Sequence, residues 1–302
     1  MTHYQLISSN KRRSTVIMIG FVLFVAAVSW VFAEAMGFDF SFVGVALIFS
    51  GLISFGSYWF SDKIILSISK ARPAKREEFF DFYTTVENLC IGQRMPMPKL
   101  YVIDDSAMNA FATGRNPENA VICATTGLLA RLERSEVEGV MAHELAHVGN
   151  YDMLLMSIVT VLVGTISLLS DLFLRSGFGT RTKKSKNSDS GQLQMILMLV
   201  GFLLALLSPL IAQLIKLALS RKREYLADST GVAYTKNPAG LANALAKISQ
   251  DKEPLEVANK ATAHLYIANP LKNHHDAVGM FAKMFLTHPP IEDRIKTLRA
   301  IA

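Results

Sequence analysis

His143-Glu144-Leu145-Ala146-His147 is the stretch of this chain whose residue types and spacing carry the most chemistry. Positions four apart on a helix share a face, so both imidazoles point the same way and can grip one metal ion. Glu144 directly follows the first of them, within reach of a water on that metal, where a carboxylate serves as general base. The pattern arises by accident in about one chain in a hundred of this length, so a third donor has to be found. The surroundings suit a helix of about fourteen residues. Ser135 and Glu138 have capping-box spacing, Val137, Val140, Met141, Leu145 and Val148 make an apolar stripe, and Gly149-Asn150 is a stop.

Glu224 and Asp228, in Ser220-Arg221-Lys222-Arg223-Glu224-Tyr225-Leu226-Ala227-Asp228, also stand four apart and share a helical face. A hydrolytic zinc takes three protein ligands and keeps one position open for water; a structural zinc takes four, mostly Cys. His143, His147 and Glu224 make the first kind of set. Asp228, one turn along, is placed to accept the second ring N–H of a ligand His and fix its tautomer. Read alone, the segment is equally a juxtamembrane helix whose acids offset its own Arg and Lys.

The elements that must position these groups run through a membrane. Hydrophobic residues are 51% of the 302 and charged ones 19%, and the apolar excess is local. Thr15–Ala33 and Phe40–Phe60 are long enough to cross a bilayer at about 1.5 Å per residue, the second ending in the interfacial pair Tyr58-Trp59. Met153–Leu174 and Leu193–Ile215 are further runs. Lys11, Arg12 and Arg13 precede the first run, and Lys63, Lys70, Arg72, Lys75 and Arg76 follow the second. Only Glu34 and Asp39 lie between, which places both ends of this hairpin in the cytoplasm. The third and fourth runs flank a polar link with Arg175, Arg181, Lys183, Lys184 and Lys186. Either that basic link is translocated, or the hairpin enters the membrane without fully crossing. An even number of crossings in both cases leaves His147 and Glu224 on one side.

Four parts follow: a membrane hairpin over 1–60, a cytoplasmic catalytic part over 61–152, a second membrane hairpin over 153–215, and a cytoplasmic part over 216–302 with the third donor and C-terminal helices. The expected class is membrane α+β, mostly helical, with a small sheet beside the metal helix. The net charge of +6 comes from the flanking clusters, which suit an anionic leaflet. No aromatic-interleaved basic stripe argues for nucleic acid. Cys90 and Cys123 lack ligand spacing and are expected as reduced thiols.

His-Glu-Leu-Ala-His, a long apolar hairpin, and then Ser-Arg-Lys-Arg-Glu-Tyr-Leu-Ala-Asp together resemble the HtpX family of membrane-bound zinc endopeptidases. These are gluzincins, related to the CAAX prenyl endopeptidases and, at the site, to thermolysin. The resemblance covers essentially the whole chain. It implies one Zn2+ on His143, His147 and Glu224, Glu144 as catalytic base, and polypeptide substrates. It further implies a bacterial inner membrane, catalytic parts facing the cytoplasm, and quality control of damaged membrane proteins under stress.

Leu100–Asp104, Asn109–Gly114 and Ala120–Thr125 read as short strands, with a helical pattern from Leu128. An exposed edge strand can pair with an extended substrate through main-chain hydrogen bonds. Asn109-Ala110-Phe111 is similar to the Asn-Ala-Phe edge of gluzincins, which places peptide binding there; Phe111 reads equally as a core residue. Thr287-His288-Pro289-Pro290-Ile291-Glu292-Asp293-Arg294 also matches the family, and two prolines orient His288 before a helix. His288 is a candidate donor to the oxyanion of the reaction and Arg294 a candidate brace for the Glu224–Asp228 helix, or the segment only docks the tail. His264, His274 and His275 lack ligand spacing, and 238–249 reads as an amphipathic packing helix. Two rivals remain: a CAAX-type prenyl endopeptidase, which four runs disfavour, and a membrane scaffold with a structural metal.

Overall fold

The structure, a computed structural model, describes residues 3–36, 39, 41–179, 221–258, 262–268, 270 and 289–302. The run Leu193–Ile215, the basic link before it, and His288, His274 and His275 lie outside the described residues.

Two long apolar segments become helices α1 (His3–Met36) and α2 (Ser41–Ile68), packed side by side. A third long helix, α3 (Asp152–Gly179), packs against both. Among the described residues, Val43–Ile68 is long and apolar enough on its own to span a bilayer. The outer faces of α1 and α2 carry Val16, Ile19, Leu23, Val45, Ile48, Phe49, Leu52 and Phe55, all exposed. A contiguous apolar surface of this kind fits lipid and not water. The third expected span is different at its start. Met153 to Val163 are buried inside the protein, because α3 first runs through the bundle with α1 and α2.

The sheet has four strands in the order β1 (Arg72–Pro73), β2 (Lys99–Ile103), β4 (Ala120–Thr125), β3 (Ala110–Gly114). β2 runs parallel to β4, and β1 and β3 are antiparallel to their neighbours. Helix α4 (Phe80–Gln93) lies between β1 and β2 in the chain, and the short α5 (Thr126–Arg131) follows β4. Then comes α6 (Arg134–Gly149), the helix that carries the two histidines. It begins earlier than the Ser135–Glu138 spacing suggests: Glu136 accepts the Glu133 N–H at 2.8 Å, so the cap is two residues upstream. Glu136 is held there because Lys247 reaches it at 2.7 Å. The helix stops at Gly149, and the axis turns by 83° into α3.

Helices α7 (Arg221–Thr235), α8 (Pro238–Gln250) and α9 (Ile291–Arg299) complete the described fold. The amphipathic reading of α8 holds: Leu241, Ala244, Leu245 and Ile248 are buried against α6 and α9. Two glycines set how closely the helices approach α6. A Cβ on Gly139 would sit 2.6 Å from the Leu241 backbone nitrogen of α8, and one on Gly231 would sit 3.1 Å from the His143 backbone nitrogen. The helix bearing Glu224 can therefore lie directly on the helix bearing the histidines.

Gly139→Ala tests this packing. In a helix interior Ala is favoured over Gly by about 1 kcal/mol, yet overpacking here should cost about 1–3 kcal/mol. A thermal scan in detergent should show a lowered Tm; an equal or higher Tm would mean the α6–α8 approach is not close.

Candidate metal centre

His143 and His147 lie one turn apart on α6, and their Nε2 atoms face each other at 3.2 Å. Glu224 of α7 closes the third side, with Oε2 3.8 Å from His143 Nε2 and Oε1 3.6 Å from His147 Nε2. All three side chains are buried. Zinc–ligand bonds of about 2.0–2.1 Å in a tetrahedron put neighbouring donor atoms about 3.3 Å apart. The observed spacings match that size before any metal draws them in. Among the described residues these three donors form the group that fits a metal ion.

The outer ring nitrogens explain why Nε2 faces inward. His143 Nδ1 lies 2.9 Å from Asp228 Oδ1, and His147 Nδ1 lies 3.2 Å from Asp152 Oδ2. Each carboxylate accepts a hydrogen bond from Nδ1–H, which directs Nε2 inward, where its lone pair binds a cation once the ring is neutral. Arg294 of α9 is itself buried and clasps Asp228 through Nε at 2.9 Å and Nη2 at 2.6 Å. Its Nη1 reaches to 3.7 Å from Glu224. One guanidinium thus links the helix of the third donor to the C-terminal helix.

Burial and charge then separate the two histidines. Burial and the Arg294 guanidinium lower His143 to about 4, against the pull of Asp228. Burial also disfavours a charged His147, but the Asp152 hydrogen bond and the Glu224 carboxylate outweigh it and raise this ring to about 9. Burial works against ionised Asp228 as well, yet Arg294 and His143 hold its carboxyl down to about 2. Glu144 is buried, and its charge acts on both His147 and Arg294, so it stands beside the donors.

Asp152 is the residue that sequence reasoning misses. It stands five positions past His147, beyond the helix stop, where helical spacing says nothing. The turn at Tyr151, with φ of 60°, swings the chain back so that the first residue of α3 meets the His147 ring.

The strand expected to be an exposed edge is not exposed. Every residue of β3 is buried, because α2, α3 and α6 pack on it and residues 267 and 268 cover its Asn109–Ala110 end. Ile267 donates its N–H to the Ala110 carbonyl at 3.0 Å, and the Asn109 side chain pairs with both backbone groups of Ala268. Phe111 is a core residue, stacked edge-on against Tyr266 at 5.2 Å. Beyond it, Thr113 bonds Ser157 of α3 at 2.8 Å. Cys90 and Cys123 are free and buried, and burial raises both thiols.

A long apolar helix that fits a bilayer, joined to a buried two-histidine, one-glutamate pocket, is the arrangement of a membrane metalloprotease. The model of peptidase family M48 matches residues 79–302, and the chain belongs to that family. Curated relatives each described as a protease HtpX homolog agree along nearly the full length. That of Thermoanaerobacter pseudethanolicus is 40% identical over 303 aligned residues, covering 99% of this chain and 98% of its own. That of Dictyoglomus thermophilum is 42% identical over 300, covering 99% and 94%. Among solved structures, S. mikatae Ste24p aligns with a TM-score of 0.47 at 19% identity, over 98% of this chain and 67% of its own.

Zinc uptake should be coupled to a proton. At pH 7.5 metal-free His147, at about 9, is charged, while His143, at about 4, is neutral. The His147 proton must leave before Nε2 can bind, so apparent affinity rises with pH by up to about tenfold per unit and levels off above about 9. Calorimetry at pH 7.5 in buffers of different ionisation enthalpy should report about one proton released per zinc. A value near zero would contradict the assignment.

Proposed function

We propose that the protein is a zinc-dependent endopeptidase, with the ion held by His143, His147 and Glu224 and with Glu144 as the base. The observation that carries this reading is the converging set of three buried donors within 4.8 Å of one another. The donor chemistry fits zinc: two neutral imidazoles and one carboxylate leave a fourth position open. When bound, zinc would supply Lewis acidity at the scissile carbonyl and lower the pKa of water toward 7.

The chain's own residues do the rest. Glu144, buried beside the donors, takes a proton from the attacking water and passes it to the leaving amine. Asp228 and Asp152 hold the imidazole tautomers, and Arg294 keeps Asp228 ionised. Substrate pairs as an added strand along β3 at Asn109 and Ala110, displacing Ile267 and Ala268 from the groups they now occupy. Phe111 supports that strand from the core. For His288, the position immediately before Pro289-Pro290 supports a role as donor to the developing charge on the substrate oxygen.

The exposed apolar faces of α1 and α2 and the basic clusters at their ends support a bacterial inner-membrane protein working from the cytoplasmic side. Its substrates are polypeptides, among them damaged membrane proteins that accumulate under stress.

The reading is tested by purifying the protein in detergent with chelator, then adding zinc and casein. Wild type should cut, and Glu144→Gln should be slower by about 10²–10⁴-fold while still binding zinc. Equal cutting by both would remove Glu144 as the base. Zinc binding with no cutting by wild type would favour a structural metal site.

A further inference from the structure

Asn10 makes a buried polar contact that the reading above does not use. Asn10 lies in the third turn of α1, far in sequence from the catalytic helices, and is 3% exposed. Its amide donates to the Asn150 carbonyl at 2.9 Å and to Asp152 Oδ1 at 2.8 Å. Asp152 Oδ2 is the atom that meets His147 Nδ1 at 3.2 Å. A continuous path therefore runs from the first membrane helix, through one carboxylate, to a donor of the metal centre.

We propose that Asn10 is a positioning residue of the metal centre, so that docking of the first helix completes the site. This rests on the metal reading given above. Asp152 has two competing cationic or donor neighbours: His147 on α6 and Arg223 of α7, whose Nε stands 3.6 Å from Oδ1. A carboxylate free to rotate would turn toward the permanent charge of Arg223 and leave His147 without its partner. Asn10 binds Oδ1 from the third side and fixes the plane of the carboxylate, which holds Oδ2 toward His147.

The docking is specific to this end of α1. Asn10 and Ser14 are buried and Phe21 follows two turns later, a stripe at helical spacing whose polar start meets the polar α6–α3 junction. Next to it Lys11 sits over the Tyr151 ring at 4.4 Å, on the residue whose left-handed turn carries Asp152 back to the histidine. Helix α1 is therefore more than an anchor. A chain whose first helix has not seated against α3 holds its metal weakly, which confines full activity to the assembled membrane form.

Hydrogen-bond polarity gives the test. Zinc affinity of the full-length protein in detergent is measured by competition with a chromophoric chelator for wild type, Thr15→Ala, Asn10→Ala, Asp152→Asn and the double variant Asn10→Asp/Asp152→Asn. Thr15, exposed on the same helix, should match wild type. Asn10→Ala should bind zinc about tenfold more weakly, and at saturating zinc kcat should fall with KM unchanged. Asp152→Asn can offer its one oxygen to Asn10 or to His147 but turns an N–H on the other, and should lose about 10–100-fold. The double variant restores the contact to residue 152 but sets a carboxylate oxygen against the Asn150 carbonyl, and should recover only part of that loss. Wild-type affinity in Asn10→Ala, or an unchanged kcat in that variant at saturating zinc, would overturn the proposal. Failure of wild type to bind zinc would instead overturn the metal reading beneath it.

Discussion

Two buried imidazoles whose inner nitrogens stand 3.2 Å apart, with a glutamate on the third side, are spaced to share one cation. Without one, two lone pairs meet in a pocket with little water to separate them, or one ring must stay protonated. The rest of the site follows from that constraint. Asp228 and Asp152 accept hydrogen bonds from the outer N–H groups, so both rings turn the inner nitrogen toward the ion. Arg294 keeps Asp228 ionised in a place where burial would neutralise it. Removing one partner from such a buried network costs several kcal/mol, because an uncompensated charge remains.

The fold is arranged so that these groups can meet. Helix α6 carries His143, Glu144 and His147 within five residues, but Glu224 and Asp228 come from a helix about 80 positions later in sequence. They arrive because Gly231 lets α7 lie on the His143 backbone without a side chain between. The sheet, α4 and α8 press on α6 from its other sides, and twelve of its sixteen residues are buried. A helix buried nearly all round has no amphipathic face, and α6 is held by its neighbours rather than by one stripe.

The sequence made the centre legible where chemistry is local. Four-residue spacing alone placed His143 with His147 and Glu224 with Asp228, and apolar run length alone placed α1 and α2. Alternation located the three main strands to within a residue of Lys99–Ile103, Ala110–Gly114 and Ala120–Thr125. Whatever depended on distant parts of the chain was hidden. Alternation shows that β3 is a strand but not that Ile267 and Ala268 cover it, since period two carries no record of the neighbour. The cap moved from Ser135 to Glu133 because Lys247, on α8, stabilises Glu136. Asn10, in a run of Ser, Asn, Lys and Arg, looks like any solvated helix end, and only the folded chain brings it 2.8 Å from Asp152.

The central claim is that His143, His147 and Glu224 bind one cation together, and X-ray absorption at the zinc edge reads that shell directly. The protein loaded with one equivalent of zinc should show two imidazoles and oxygen donors at about 2.0–2.1 Å, with no sulfur. Replacing His147 by Ala should remove one imidazole from that spectrum, and replacing Glu224 by Ala should alter the oxygen shell and leave both imidazoles. A spectrum unchanged by either substitution, or one lacking paired imidazole scattering, would contradict the account.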